Sequence, residues 1–426
     1  MRKTKLFNHY LCAVMMLLFT ASCGSSNPAE ETELSGVRLI SPVYIASKVG
    51  ATVELRIEVP ENQYLSYSWT CDDVQFSTDK NPSLKLDKAG LLNIAVTVKG
   101  EGKASKTLKT AIFSAKKSEY KVVAYMPSWR TNYVLKDWDK ITHLCFCFGE
   151  VKTDGSIDMT SIRRNILPLI KAAHERGVYA LLSIGGGTGG EDFSAAILDE
   201  TSRKNIAENV LKILAEHNFD GVDVDYEHWD YTPSNNNIKR SEALELLYRD
   251  LRAGMPENSQ LTIATSLSYM RNKGYNESMT QYLDFINMMI YDHTGPWAGS
   301  DVGSHSDWNY YINSIEKAKE FNIPNNKIVP GVPFYGVKFK SKTSSTGAEH
   351  IAYSDIVRQY PGAENANEVE RSGAYIYYDG MPLVRQKSEY VVSQQLGGIM
   401  FWEITQDTDV VSKSLLQVIY DTLLKH

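Results

Sequence analysis

The sequence has few cysteines and no excess of positive charge. Its 426 residues include five cysteines, and 45 lysines and arginines stand against 51 aspartates and glutamates, for a net charge of −6. A chain without a basic surplus binds phosphates poorly, so we expect no nucleic-acid partner. Cys145 and Cys147 lie two residues apart in an apolar run, where disulfide geometry is poor. We therefore expect a fold held by its core and not by disulfides.

Motifs for metals, nucleotides and serine nucleophiles are missing or unconvincing. The nine histidines are scattered without His-Glu-x-x-His, and Gly-x-Ser-x-Gly is absent. Gly185, Gly187 and Gly190 have the spacing Gly-x-Gly-x-x-Gly, but no β-α-β unit with a ribose-binding acid accompanies them. Close approach of the backbone to a ligand explains these glycines better. We expect no cofactor and no bound metal.

The first residues are typical of an export signal. A basic start precedes an apolar stretch that is too short to span a bilayer. The stretch ends in small residues directly before Cys23, which resembles the lipobox of bacterial lipoproteins. We predict a lipoprotein signal peptide at 1–22, a lipidated Cys23 and a tether at 23–34. The protein is then exported and held on a membrane, at the cell surface or the periplasmic face. The alternative is an ordinary signal peptide cleaved near Ala21.

Residues 35–116 alternate between apolar and polar positions in short runs. Val53, Leu55 and Ile57, with charged residues between them, show the pattern. Such alternation, with turn residues between the runs, predicts a small all-β sandwich. A Tyr-Ser-Trp stretch ending at Trp69 resembles immunoglobulin-like and PKD-type modules. We interpret Trp69 as a core residue, with carbohydrate binding as the alternative.

From 119 to 426 the pattern changes to apolar runs that alternate with amphipathic helical stretches. Continuous apolar strands followed by helices predict a parallel sheet, and eight of them predict an α/β fold of the (β/α)₈ TIM-barrel type. In such barrels the chemistry lies at the carboxyl ends of the strands. The predicted strands are 122–125, 141–148, 179–184, 219–226, 261–267, 285–291, 328–334 and 398–402.

The fourth run carries three acids. Asp223, Asp225 and Glu227 alternate with Val222, Val224 and an aromatic residue. On a strand the acids share one face, which in a barrel points inward. Crowded and buried carboxylates bind protons more tightly, as a general acid near neutral pH requires. A calcium loop and a purely structural acidic cluster are the alternatives, although valine spacers are unlike the polar spacers of a calcium loop.

The acidic run, Asp-Gly-x-Asp-x-Asp-x-Glu, resembles the signature of glycoside hydrolase family 18, the chitinase family. Further stretches agree with the family in the same order, so the resemblance covers about 119–424. They are residues 125–129, 183–186, 289–292 with 295–297, 331–336 and 397–402.

The resemblance implies hydrolysis of β-1,4 bonds that follow N-acetylglucosamine in chitin or chito-oligosaccharides, with retention through the substrate's own acetamido group. It implies Glu227 as acid and then base, and Asp225 as the group that orients the acetamide. Asp223 would share a proton with Asp225, and Tyr291 would donate to the acetamido oxygen. Trp402 would form the floor of the sugar site. Further substrate positions by resemblance are Tyr125, Gly186, Gly187, His228, Met289 and Asp292, with Trp129 and Trp297 as candidate sugar platforms.

The segment between Gly336 and Gly397 bears on the substrate. It holds only about 60 residues. We therefore expect that most of the α+β insertion of deep-groove chitinases is missing and that the cleft is shallow. The alternatives to a chitinase are an endo-β-N-acetylglucosaminidase acting on the chitobiose core of N-glycans and a non-catalytic glycan-binding lipoprotein. We expect a monomer whose partner is an N-acetylglucosamine-containing oligo- or polysaccharide.

Overall fold

The structure, a computed structural model, describes most of the chain. The described ranges are 34–41, 44–60, 65–101, 104–131, 133–228, 239–371 and 373–425. The predicted signal peptide, Cys23 and nearly all of the tether lie outside them. Within these ranges no helix combines the length and the apolar character that crossing a membrane requires. The chain divides into two compact units, the first formed by residues up to 45 with 52–85 and 92–112, and the second by the remainder.

The N-terminal part of the chain is all-β, as predicted. Its main sheet has five strands in the order Tyr44–Lys48, Ser105–Ala115, Gly90–Lys99, Ser66–Cys71 and Val74–Ser77; two short pairs join Arg38–Leu39 to Ile57–Glu58 and Thr52–Glu54 to Ser83–Lys85. Alternate residues of these strands are buried, for example Ile94, Val96 and Val98. Trp69 is fully buried, and its indole N–H donates to the carbonyl of Asp79 at 2.9 Å.

The second unit is a closed barrel of eight parallel strands, which confirms the predicted fold class. In chain order the strands are Lys121–Pro127, His143–Val151, Tyr179–Gly185, Gly221–Asp225, Gln260–Thr265, Phe285–Met288, Ile328–Pro333 and Gly398–Trp402. We call them barrel strands one to eight. Strand one pairs with both strand two and strand eight, which closes the barrel. Each predicted apolar run overlaps one of these strands, with bounds that differ by up to three residues.

Helices surround the barrel because one face of each is apolar. Helix Glu200–His217, for example, buries Ile206, Val210 and Ile213, and its first turn is capped by Asp199, which accepts from the Ser202 N–H at 2.8 Å. The other α-helices within the described ranges are Thr160–Asn165, Leu169–Glu175, Gly190–Leu198, Arg240–Gly254, Leu267–Tyr269, Trp308–Lys319, Tyr353–Gln359, Met381–Ser393 and Leu415–Leu423.

An α+β insertion follows barrel strand seven, and the expectation that most of it is missing is wrong. In the sheet, four antiparallel strands lie in the order Glu349–Ala352, Tyr335–Phe339, Ala374–Tyr377 and Glu368–Arg371. Along the chain, helix Tyr353–Gln359 follows strand Glu349–Ala352 and precedes strand Glu368–Arg371. The insertion needs few residues because its first strand begins two residues after barrel strand seven ends. Strands of four or five residues then need little chain. The argument for a shallow cleft loses its basis.

Candidate active site

Asp223 on barrel strand four is fully buried and accepts hydrogen bonds from four other strands. Its Oδ2 accepts from the hydroxyls of Tyr125 at 2.8 Å and Ser183 at 2.9 Å. Its Oδ1 accepts from the hydroxyl of Thr262 at 2.6 Å and the amide of Asn287 at 3.2 Å. The strand register brings them together, because Ser183 and Thr262 are both Cα partners of Asp223. Burial raises the pKa of Asp223, and these four bonds oppose the rise.

Asp225 lies two residues nearer the carboxyl end of the strand and is in a different situation. It is 3% exposed, and its Oδ1 has no hydrogen-bond partner among the described residues. Its neighbours in register, Gly185 and Ala264, are small, and all three line a cavity. Burial raises the pKa of Asp225 well above its usual value, and the charges of Glu227 and Asp223 raise it further. An unpartnered buried oxygen beside open space is placed to accept a hydrogen bond from a ligand.

Glu227 follows the last residue of barrel strand four by two positions and lines the same cavity. Burial, with the negative charge of Asp292 as a second cause, raises the pKa of Glu227 to about 7. A carboxyl group that titrates near neutral pH can donate a proton and then take one back, which is what a general acid and base does.

Asp292 provides that negative charge from the loop after barrel strand six. The hydroxyl of Tyr335 donates to its Oδ1 at 2.7 Å, and Nδ1 of His305 lies 3.4 Å from the same oxygen. Burial acts to raise the pKa of Asp292, but the contacts with His305 and Tyr335 outweigh burial and hold the pKa below its usual value. Asp292 therefore loses its proton at lower pH than Glu227 does.

Tyr291 presents its hydroxyl to the cavity. The hydroxyl lies 3.8 Å from Sδ of Met400, a weak acceptor that a ligand oxygen can replace. Burial raises the pKa of Tyr291 well above its usual value, so the group stays a proton-bearing donor.

The cavity has a volume of about 400 Å³ and one aromatic wall. Trp402 stacks on Phe148, with ring centroids 5.8 Å apart and 12° between the planes, and the half-exposed ring of Trp129 lies 6.3 Å from each of them. Flat aromatic faces suit the apolar faces of sugar rings. The lining comprises Tyr125, Ser128, Trp129, Phe148, Glu150, Ser161, Gly185, Gly187, Thr188, Asp225, Glu227, Ala264, Met289, Tyr291, Asp292, Tyr335, His350, Met400, Trp402 and Gln406.

Three predicted substrate positions are described by the structure but fall outside this lining. Gly186 has a φ of 82°, and a Cβ there would lie 2.6 Å from the ring of Phe148, so it serves close packing. His228 faces the ring of Tyr226, with centroids 6.3 Å apart. Trp297 is 43% exposed and is not among the residues that line the cavity.

Sequence reasoning missed other lining residues, above all Tyr335 and His350 from the insertion. Tyr335 had a signal, because it belongs to the stretch 331–336. His350 had none, since its segment of the chain carries no motif. Among the described residues no group of three or more His, Cys, Asp or Glu side chains is placed to hold a metal ion.

Two of the curated proteins with sequences similar to this chain are named as chitinases. The chain is 27% identical to Probable chitinase 10 of Drosophila melanogaster over 350 residues, which are 68% of this chain and 15% of that protein. It is 30% identical to Endochitinase 1 of Metarhizium robertsii over 282 residues, 57% of this chain and 64% of that protein. The chain therefore spans less than two thirds of the length of these relatives.

Comparison with solved structures agrees. A chitinase from Bacteroides thetaiotaomicron has a TM-score of 0.63 and 25% identity, with 72% of this chain and 97% of that chain covered. The chitinase ChiB of Flavobacterium johnsoniae has a TM-score of 0.61 and 27% identity, with 72% and 94% covered. The family model for glycosyl hydrolases family 18 matches residues 121–407, about two thirds of the chain. With this match over the barrel that carries Asp223, Asp225 and Glu227, the chain belongs to glycosyl hydrolases family 18.

Proposed function

We propose that the protein hydrolyses β-1,4 bonds following N-acetylglucosamine in chitin or chito-oligosaccharides, with retention of configuration. The observation that carries the proposal is the placement of Glu227, a carboxyl group with a pKa of about 7 on a cavity that also holds Asp225 and Tyr291. The names of the relatives and solved structures support a chitin-like substrate.

The state of Asp225 supports a nucleophile that comes from the substrate. The unpartnered Oδ1 of Asp225 lies beside the cavity, where it can accept a hydrogen bond from the acetamido N–H and orient the acetamido oxygen toward the anomeric carbon. In the proposed first step the acetamido oxygen forms the bond to C1 and the glycosidic C1–O bond breaks. Glu227 gives its proton to the leaving oxygen, and the positive charge on the resulting oxazolinium lies against Asp225.

The second step restores the enzyme. Glu227, now ionised, takes a proton from a water molecule whose oxygen attacks C1, and the C1–acetamido bond breaks. Tyr291 donates to the acetamido oxygen until that oxygen attacks, which fixes the geometry of the substrate.

Product analysis tests the proposal. Chito-oligosaccharides, a high-mannose glycopeptide and a β-glucoside without the 2-acetamido group are incubated with the full chain, and a thiazoline mimic is tested as an inhibitor. We expect cleavage of the chito-oligosaccharides, inhibition by the thiazoline and no cleavage of the glucoside. Cleavage of the glycopeptide alone would favour an endo-β-N-acetylglucosaminidase. A covalent sugar trapped on a carboxylate would contradict the mechanism.

We propose in addition that the protein is exported and anchored to a membrane through a lipid on Cys23. Two or more acyl chains suffice for stable anchoring. Replacing Cys23 with Ala should move the protein from the membrane fraction to the soluble fraction. Equal partitioning of variant and wild type would contradict the anchor.

A further inference from the structure

A buried ion pair lies behind the loop that carries Asp292. Lys387 of helix Met381–Ser393 and Asp379 are both fully buried, with Nζ 2.6 Å from Oδ2. The ammonium group has three protons, and its other two neighbours are the carbonyl of Ser306 at 2.6 Å and the hydroxyl of Ser306 at 2.7 Å. Because every donor of the ammonium group is used, the pair fixes Ser306 in place.

Ser306 passes this constraint to the end of barrel strand six. Its hydroxyl donates to the carbonyl of Ile290 at 2.9 Å, directly before Tyr291 and Asp292. A single serine thus joins the buried pair to the residues that form one side of the active site.

His305 provides a second connection, through its side chain. The ring is fully buried and packs against the ring of Tyr335, with centroids 5.0 Å apart. Nδ1 lies 3.4 Å from both the backbone nitrogen and Oδ1 of Asp292. Protonated, Nδ1 donates to the carboxylate; unprotonated, it accepts from the backbone N–H. Either contact holds Asp292, whose backbone has a φ of 58°, a conformation that a residue with a side chain adopts at a cost.

Two buried polar atoms of this group have no hydrogen-bond partner among the described residues, Nε2 of His305 and Oδ1 of Asp379. Buried polar atoms are rarely left in this state where packing alone decides, so the arrangement points to a functional constraint. The titratable groups that act on Asp292 are Glu227, Tyr291, His305, Tyr310, Tyr335 and His350, and those that act on Lys387 are Asp379, Asp307 and Tyr311.

We propose that the Lys387–Asp379 pair, with Ser306 and His305, is a positioning unit for Asp292, which it holds in the lining of the cavity that Asp292 shares with Glu227. These residues do not touch substrate and act through Asp292. The inference rests on the proposed role of Glu227 as the acid, and it adds that the acid depends on a buried charge pair outside the cavity.

The first test replaces the pair as a unit. Removing Lys387 alone leaves a buried charge without a partner and endangers folding, whereas exchanging both members for apolar side chains of similar volume often preserves stability. The variant is K387M/D379L in the full chain. Its matched control is K204M/E200L, which removes a solvent-exposed ion pair with an Nζ–Oε1 distance of 2.5 Å.

The readout is the pH profile of kcat/KM on a chromogenic N-acetylchitobioside. With Asp292 released, its charge acts less on Glu227, so we expect the alkaline limb of K387M/D379L to move to lower pH by at least half a unit. We expect kcat to fall at least about fivefold with KM within about threefold, and the control to match the wild type. An unchanged limb in a folded variant would overturn the proposal.

His305 gives an independent comparison. The side-chain amide of Asn places a nitrogen near the position of Nδ1, so H305N should retain most of the wild-type pH profile, whereas H305L should shift it as K387M/D379L does. Equal profiles for H305L and the wild type would show that His305 only packs.

A second readout separates this inference from the proposed function. If the wild type cleaves no N-acetylglucosamine substrate, the proposed function fails. The inference is then decided by titrating the ¹³C-labelled carboxyl group of Glu227 by NMR, assigned with E227Q. A lower pKa of Glu227 in K387M/D379L and H305L supports it, and an unchanged pKa overturns it.

Discussion

Trp69 in the N-terminal β-sheet and Asp225 in the barrel are both buried polar side chains, but they differ in whether their hydrogen-bonding atoms have partners. In the β-unit the largest buried side chain, Trp69, has its one donor satisfied by the carbonyl of Asp79. In the barrel mouth Oδ1 of Asp225, Oδ1 of Asn287 and Nε2 of His305 are buried without a partner among the described residues. The satisfied donor of Trp69 serves the fold, whereas the unsatisfied Oδ1 of Asp225 lines the cavity, where a ligand can offset its cost.

The carboxylates show the same contrast within one strand. Asp223 accepts four hydrogen bonds and is part of the barrel's structure. Asp225, two residues on, has small neighbours and an unpartnered oxygen. Two aspartates on one face of the strand thus differ in that Asp223 has both oxygens engaged by other strands, whereas Asp225 has one oxygen without a partner beside the cavity.

The largest expected loss of activity is for E227Q, which exchanges one oxygen of the carboxyl group for an amide nitrogen. E227Q keeps the shape of the side chain and removes the proton donor. General acid catalysis is worth about 10²–10⁴-fold, so kcat/KM on unactivated oligosaccharides should fall by at least that order. Steady-state kinetics with a binding measurement checks this. Affinity for the oligosaccharide should be largely kept; a loss of both together would indicate a binding role for Glu227.

Asp225 and Tyr291 should follow in that order. D225N cannot balance the positive charge on the oxazolinium, so we expect a loss of about 10²–10³-fold in kcat, in the range of other electrostatic stabilisers. Y291F removes one neutral hydrogen bond, worth about 1 kcal/mol or about fivefold. Both are read from kcat on the same substrate. A larger loss for Y291F than for D225N would contradict the assigned roles.

Sequence periodicity was sufficient for the barrel and for its acids. Eight apolar runs gave eight strands, and alternation with valine placed Asp223 and Asp225 on the inner face. Periodicity could not predict contacts between segments that are far apart in the chain. His350 reaches the cavity through the pairing of Tyr335–Phe339 with Glu349–Ala352, and residue counting concealed that insertion. The Gly186 position also shows the limit, because a motif gives a place in the chain but not the direction of the backbone.

The raised pKa of Glu227 should make activity and stability depend on pH in the same direction. Its folded value of about 7 lies above the ordinary value of 4.5, so the folded state binds the proton more tightly. The stability this contributes is present below pH 4.5 and is lost as pH rises through 7. E227Q does not titrate, so its Tm should exceed that of the wild type more at pH 8 than at pH 5. Calorimetry at both values decides it; a constant difference would mean that Glu227 is solvated.

The smallest change in kcat is expected for substitutions in the N-terminal β-sheet, which test whether the core around Trp69 is independent of the active site. Trp→Ala in a core costs about 3–5 kcal/mol, and Trp69→Ala also leaves the carbonyl of Asp79 without its donor. Amide hydrogen exchange should therefore rise across Ser66–Cys71 and Gly90–Lys99, the two paired strands around Trp69. Val74→Ala, at a side chain that is 70% exposed, is the matched control and should leave exchange unchanged. Because the carboxylates of the candidate active site and their hydrogen-bond partners all lie outside the N-terminal β-sheet, kcat on a small soluble substrate should stay within about twofold in both variants. A fall in kcat that parallels the rise in exchange would contradict this prediction. It would show that the active-site groups of the barrel depend on the packed core around Trp69.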